Sequence, residues 1–111
     1  MIHQLSLKEI PFSLIKSGKK RIEMRLKTPK REAIGIGDTI EFLSEKDGEK
    51  IKVLVENIKF YPTFKELYED NDKTLLGYSS NENASYEDMY LYYTEENILK
   101  YGVLAIFIKL I

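Results

Sequence analysis

The chain has 111 residues, 43% of them hydrophobic and 32% charged, which fits one compact globular domain spanning residues 1–111. It has no cysteine and one histidine, His3, so disulfides, thiol nucleophiles and clusters of Cys or His metal ligands are excluded, and we expect neither a metal nor another cofactor. The net charge of −1 by itself favours no polyanionic partner.

The first part of the chain predicts a strand, a helix and a second strand. Residues 2–7 predict a short strand, and residues 8–17 predict a helix that ends at Gly18. Residues 20–27 alternate between apolar and charged side chains, which predicts a strand with one buried face and one densely charged face. A polar loop is expected over residues 28–35.

The middle of the chain predicts a hairpin. Strands are expected at residues 39–44 and 51–60, and the Asp47-Gly48 pair between them is typical of a tight turn. Thr63 with Glu66 matches a capping box, which predicts the start of a short helix.

The last part of the chain predicts a polar excursion, helical turns and a final strand. Residues 69–84 are polar and are expected to form a mobile excursion. Helix starts are predicted at Ser85 and at Thr94. A buried strand follows at residues 103–110.

This order of elements predicts an α+β protein. We expect a small, closed β-barrel of five or six mostly antiparallel strands with two to four short helices. No crossover unit of the kind that joins parallel strands is evident in the pattern.

Two further features concern location and charge. No N-terminal run resembles a signal peptide, and no window approaches the roughly 18 apolar residues of a membrane span, so we expect a cytoplasmic protein without membrane contact. Residues 1–31 carry a net +7 and residues 32–111 a net −8. This asymmetry indicates either a basic face for an anion or a basic segment that packs against the acidic remainder.

The most informative segment crosses from the first helix through Gly18 into the charged strand. Its charged residues are Lys19, Lys20, Arg21, Glu23 and Arg25. Arginine forks can bind phosphates or base edges, and a carboxylate can accept from amino groups, so the strand face suits a planar polar ligand. A solvated outer face on an edge strand is the structural alternative.

The charged segment is the core of a larger set of short motifs and contains a G-x-K-x-x-E-x-R pattern. The set spans residues 5–110 and comprises Leu5-Ser6-Leu7-Lys8 with Pro11-Phe12, Ile15 to Arg25, Gly37-Asp38, Tyr61-Pro62-Thr63-Phe64, Met89-Tyr90, and Tyr101-Gly102-Val103-Leu104-Ala105-Ile106. With these motifs in this order, the chain resembles the ASCH family of the PUA-like superfamily. The resemblance implies a β-barrel with a cleft beside the basic motif, and a role in RNA metabolism or translation regulation.

The first functional hypothesis is therefore a basic cleft for RNA or a modified nucleotide. Lys20, Glu23 and Arg25 are the motif positions that the resemblance carries over, and Lys19 and Arg21 would add charge beside them. Phosphate contacts of this kind predict salt-sensitive binding.

The second hypothesis is a small amidohydrolase. One branch of the family resembles enzymes that deacetylate modified cytidine with a Lys, a Thr and a Glu. Lys20 falls on the lysine position, Glu23 stands where that branch has threonine, and Glu82 is a possible counterpart of its glutamate. Lys20 would then be the nucleophile or base, with Glu23 as its partner.

Other features have structural and functional interpretations. Tyr86, Tyr90 and Tyr93 follow helical spacing, which is typical of core packing or, alternatively, of a stacking platform for a base. The acidic residues near Glu66 lack an EF-hand pattern. The acidic region 66–96 leaves a third hypothesis open, an adaptor that binds another protein.

Overall fold

The computed structural model describes all residues from Met1 to Ile111. Its strands are β1 (Ile2–Leu7), β2 (Ile22–Leu26), β3 (Thr39–Ser44), β4 (Lys50–Tyr61) and β5 (Val103–Leu110). Its helices are α1 (Glu9–Lys16), α2 (Pro29–Glu32), α3 (Phe64–Asp70) and α4 (Glu95–Tyr101), together with one 3₁₀ helix at Tyr86–Leu91. The predicted α+β class is confirmed, with five strands and several short helices.

The five strands form one sheet in the order β1-β3-β4-β5-β2. Three neighbouring pairs are antiparallel, as expected, but β1 and β3 are parallel. The prediction that no crossover is present is therefore wrong. The crossover is hidden in the sequence because β2 lies inside the connection from β1 to β3 yet joins the opposite edge of the sheet.

The sheet is a curled half-barrel whose two edge strands, β1 and β2, are not joined by a ladder. A bulge in β4 between Val55 and Asn57 interrupts its pairing with β5, and bulges of this kind bend a strand. One side chain crosses the open seam between the edges, because Arg25 Nη2 donates to the Ser6 carbonyl oxygen at 3.0 Å. The closed barrel predicted from the sequence is therefore not formed. The two edge strands are linked by the Arg25 side chain, which we call the arginine bridge.

Helices cover both faces of the sheet, and β5 shows this most clearly. Leu104, Ile106 and Ile108 belong to the core beneath α1. Val103 and Ala105 belong to a second core that packs against α3 and α4. A strand that is buried on both faces has no polar face, which explains why this segment is a continuous apolar run.

The predicted helix starts agree with the structure. The Thr63 hydroxyl caps α3 by accepting from the Lys65 N–H, and it also donates to the Glu66 carboxylate, so both residues of the predicted pair take part in the helix start. The side chains of Ser85 and Thr94 cap the 3₁₀ helix and α4. The predicted loop at 28–35 differs, because it contains α2, which begins at Pro29.

The segment after α3 is not the excursion that its polarity suggested. The Leu75 carbonyl oxygen accepts from the backbone N–H groups of Arg21 at 2.9 Å and Ile22 at 3.0 Å. Leu76 is buried in the second core. The segment is therefore tied to the start of β2, which places it over the functional residues described next.

Candidate functional site

A cavity of about 470 Å³ lies between β2, the start of α1 and the segment from Tyr68 to Tyr93. Lys20, Glu23 and Arg25 line it together. Its volume falls in the range of about 300–1,000 Å³ that is typical of small-molecule sites. A cleft beside the charged strand, which the family resemblance implied, is therefore present.

A three-membered charge cluster forms the polar part of this cavity. Lys20 Nζ lies 3.1 Å from Glu23 Oε1, and Arg25 Nε donates to Glu23 Oε2 at 2.7 Å. The exposed fractions of the three side chains are 10%, 4% and 14%. Glu23 thus uses one oxygen for each cation, and the cluster is held away from bulk water.

The charges of the cluster stabilise one another. Burial on its own raises the pKa of the Glu23 carboxyl, but the charges and hydrogen bonds of Lys20 and Arg25 outweigh it and lower that pKa below its usual value. Burial lowers the pKa of Arg25, and Glu23 more than restores it. Glu23 is therefore ionised at neutral pH and behaves as a hydrogen-bond acceptor.

The turn between α1 and β2 brings Lys20 into the cavity. Gly18 has φ +82° and lets the chain reverse after α1, and the N–H groups of Lys19 and Lys20 both bond to the Leu14 carbonyl oxygen at 3.0 Å. The aliphatic stem of Lys20 then lies against Gly77, where a Cβ would come within 3.3 Å of Lys20 Cδ. Packing on Gly77 directs the ammonium group toward Glu23.

Strand β2 turns its charged face inward. Glu23 and Arg25 pair with Ile106 and Leu104 of β5, so they share a face of the sheet with the first core. Met24 faces the second core. The charged face predicted from the alternation is therefore enclosed inside the half-barrel.

The other two predicted binding residues do not line the cavity. Lys19 is exposed on the turn. Arg21 precedes β2, and its Nε donates to the Ile108 carbonyl oxygen at 3.0 Å while its Nη2 lies 3.4 Å from Glu56. These two contacts hold the Arg21 side chain beside β5 and β4, away from the cavity.

Tyrosines form one wall of the cavity. The hydroxyl groups of Tyr68 and Tyr78 form a hydrogen bond of 2.9 Å. The Tyr78 hydroxyl also donates to Asp88 Oδ2 at 2.7 Å. Burial raises the pKa of Tyr78 far above its usual value, and the Tyr68 and Asp88 hydrogen bonds add to that effect. Tyr93 is half-buried and stacks on Phe64 with 5.8 Å between ring centroids. Sequence spacing gave no signal for Tyr68 and Tyr78, which are more than forty positions from β2, whereas Tyr93 belongs to the helical spacing noted in the sequence.

The three tyrosines noted at helical spacing, Tyr86, Tyr90 and Tyr93, do not share one surface. Tyr86 and Tyr90 meet edge to face with 6.4 Å between centroids, outside the cavity, whereas Tyr93 lines it. The 3₁₀ helix ends at Leu91, so Tyr93 lies beyond it and does not follow its spacing.

The lining of the cavity is not basic, contrary to the expectation from the sequence. It includes three cationic side chains, those of Lys8, Lys20 and Arg25. It also includes four carboxylates, those of Glu23, Glu45, Glu82 and Asp88. The acidic region thus folds back over the basic motif, and the positive charge of residues 1–31 is partly neutralised at the cavity.

The remaining candidates have structural partners. His3 Nε2 lies 2.8 Å from Asp38 Oδ2, outside the cavity. Hydrogen bonds from His3 and the Gly35 N–H lower the pKa of Asp38 to about 2. No group of three or more His, Asp or Glu side chains is arranged to hold a metal ion. None of the helices combines the length and the apolar character that crossing a bilayer requires.

Comparison with known proteins identifies similar structures. The crystal structure of the hypothetical protein PH0355 has a TM-score of 0.84 and 37% identity, with 100% of both chains covered. Protein PF0455 from Pyrococcus furiosus, solved by NMR, has a TM-score of 0.72 and 37% identity, over 100% of this chain and 98% of that one. No functionally curated protein matches the sequence.

A more distant structure shares the fold alone. The S128A mutant of ZmASCH from Zymomonas mobilis has a TM-score of 0.69 and 17% identity, over 97% of this chain and 67% of that one. The family model of the ASCH domain matches residues 5–111, which include every strand residue from Leu5 onward and the whole cavity. The chain therefore belongs to the ASCH domain family.

Proposed function

We propose that the cavity binds one nucleoside unit, either a nucleotide of an RNA or a modified nucleotide. The observation that carries this proposal is the buried Lys20–Glu23–Arg25 cluster at one side of a cavity of about 470 Å³. A cavity of this size favours a small planar group over an extended strand laid in an open groove.

The cluster offers the hydrogen-bonding pattern that a base edge requires. Glu23 accepts one bond at each oxygen and retains lone pairs, while Lys20 has donors beyond its contact with Glu23. An anionic acceptor between two cationic donors complements an exocyclic amino group beside a ring nitrogen or carbonyl oxygen. The pattern therefore suits a pyrimidine or purine edge.

Aromatic side chains supply a surface for stacking. Tyr92 and Tyr93 line the cavity, and Tyr92 is 57% exposed. Base–aromatic stacking contributes about 1–3 kcal/mol per base and is tolerant of sequence. The polar cluster would then provide selectivity, and the tyrosines would provide affinity.

Calorimetric titration with a panel of nucleosides, including cytidine, uridine and N4-acetylcytidine, tests the proposal. We expect at least one to bind, with affinity reduced about tenfold or more by Lys20→Ala and by Arg25→Ala. Lys19→Ala and Arg21→Ala are matched controls, because they remove the same charges outside the cavity. Equal affinity in all four variants, or no binding by any nucleoside, would refute the proposal.

A second candidate function is hydrolysis of an acylated nucleoside. It is favoured by one observation, that Glu82 lines the same cavity as Lys20 and Glu23. It ranks second because a carboxylate with a lowered pKa is a weak general base, and Glu23 binds the amine that would have to act.

Incubation with N4-acetylcytidine followed by chromatography tests this second candidate. Release of cytidine by the wild type and by Lys19→Ala, but not by Lys20→Ala, is the expected pattern for an amidohydrolase. If no cytidine is released, or if Lys20→Ala is as active as the wild type, the chain is not an enzyme of this type.

A further inference from the structure

A second hollow of about 450 Å³ lies on the other side of the arginine bridge. It is formed by the first half of β1 and by α2, and its charged residues are Lys30 and Arg31. His3 and Gln4 also line it, and no carboxylate does. Its lining therefore carries an excess of positive charge, whereas the lining of the cavity described above contains more carboxylates than cations.

The two cations of this hollow have no partner within the chain. Neither Lys30 nor Arg31 makes an ion pair, whereas the other two arginines, Arg21 and Arg25, are both paired with a glutamate. Arg31 is nevertheless half-buried. Burial and the like charge of Arg25 lower the pKa of Arg31.

The carboxylates near this hollow are already bound by other groups. Asp38 accepts from His3 and from the Gly35 N–H, and it also contacts the N-terminal amine. Glu41 accepts from Gln4 Nε2 at 2.7 Å. Glu32 lies 3.6 Å from Lys27. None of these carboxylates lines the hollow, so an external anion can be accommodated there.

The hollow and the cavity are neighbours along one edge of the sheet. The hollow uses Ile2 to Leu5 of β1, and the cavity uses Ser6 and Leu7. Arg25 separates them, since it lines the cavity and bonds to Ser6. A ligand that extends along the seam between β1 and β2 would contact both spaces.

We propose that Lys30 and Arg31 form a phosphate subsite for an RNA strand whose adjacent nucleoside occupies the cavity. The inference rests on the proposed function and goes beyond it. Four carboxylates around the cavity disfavour a phosphate inside it, so the phosphodiester must lie outside. The unpaired arginine fork next to Arg25 matches the geometry of phosphate oxygens.

The test compares a short single-stranded RNA of mixed sequence with a free nucleoside, using fluorescence anisotropy and calorimetry at several salt concentrations. We expect the Lys30→Ala/Arg31→Ala variant to bind the RNA about tenfold more weakly than the wild type. The slope of log K against log salt should fall by about 0.7 for each phosphate that the variant no longer neutralises. Its affinity for the nucleoside should not change.

Lys52→Ala serves as the control, because Lys52 is an exposed lysine on β4 that lines neither space. Thermal unfolding of each variant verifies that the fold is retained. Unchanged RNA affinity and slope in the double variant, or no RNA binding by the wild type, would overturn the phosphate subsite. Nucleoside binding that is sensitive to Lys20→Ala would persist in either case if the proposed function holds, so the two failures are distinguishable.

Discussion

Glu23 holds two cations at the cavity, and its burial makes both contacts important for the stability of the fold. Each of its oxygens faces one cation, and no buried side-chain polar atom of the protein lacks a hydrogen-bond partner. Removal of one member of such a cluster leaves an uncompensated charge away from water. The candidate site is thus also a structural element.

We predict that Glu23→Gln lowers the free energy of unfolding by about 3 kcal/mol, because Lys20 and Arg25 remain charged and buried. Urea denaturation at pH 7 measures the change. Glu45→Gln is the control, since Glu45 also lines the cavity but is exposed, and we expect a change within about 0.5 kcal/mol. Similar values for the two variants would contradict the assignment of a stabilising role to Glu23.

Stability should also fall in acid for a specific reason. The pKa of Glu23 is lowered, and that of Asp38 is about 2. In the unfolded chain these carboxyls bind protons at higher pH, near their ordinary pKa values of about 4, so acid favours unfolding. Their stabilisation is complete above about pH 5 and disappears as the pH falls through the pKa values of the folded state.

The matching measurement is the free energy of unfolding between about pH 5 and pH 2. We expect a shallower decline in Glu23→Gln and in Asp38→Asn than in the wild type, because each variant lacks one of the two groups. If the free energy of unfolding falls with pH in both variants as steeply as in the wild type, neither carboxyl is responsible for the loss of stability in acid.

At the scale of elements, short connections position the site. The turn at Gly18 delivers Lys20, and the segment around Leu75 is bonded to the start of β2. Gly102 joins α4 to β5 with φ +74°, and a Cβ there would lie 2.5 Å from Phe60 Cε2 and 3.3 Å from the Tyr61 carbonyl oxygen. Glycine is therefore required at this junction by both backbone conformation and space.

We predict that Gly102→Ala lowers the free energy of unfolding by about 2–3 kcal/mol, because it combines a left-handed conformation with a steric conflict. Gly18→Ala should cost about 1 kcal/mol, since its φ is also positive but no atom lies within 4 Å of its Cβ position. Denaturant unfolding of both variants measures the difference. A smaller effect at Gly102 than at Gly18 would show that the close approach to Phe60 is relieved at no cost.

At the scale of the whole molecule, the sheet leaves an open seam between its edge strands, β1 and β2, which no ladder joins. The Arg25 bridge instead links the edges at one point and divides the seam into the cavity and the hollow.

We predict that Arg25→Lys lowers the free energy of unfolding by about 1–2 kcal/mol, because a lysine cannot bond to both Glu23 and the Ser6 carbonyl with a planar fork. Arg31→Lys is the matched control and should change stability by less than about 0.5 kcal/mol, since Arg31 makes no ion pair that the change could break. Equal effects would indicate that the bridge does not stabilise the half-barrel.

The local pattern of the sequence was sufficient for much of the fold. Period-two alternation predicted the second strand within two residues at its start, and the Thr63–Glu66 pair predicted the start of α3. The parallel pairing of β1 with β3 was missed, because strand order depends on contacts between distant segments and no local pattern encodes it.

The sequence by itself determined which charged residues make up the motif, because residue type and spacing along one strand are local properties. Only the tertiary structure decided that Lys20, Glu23 and Arg25 share a buried cluster while Lys19 and Arg21 do not, and that the acidic residues 82–88 offset its charge. The physical reason is that burial and Coulomb interactions depend on distances in space, and here those distances join segments more than forty residues apart.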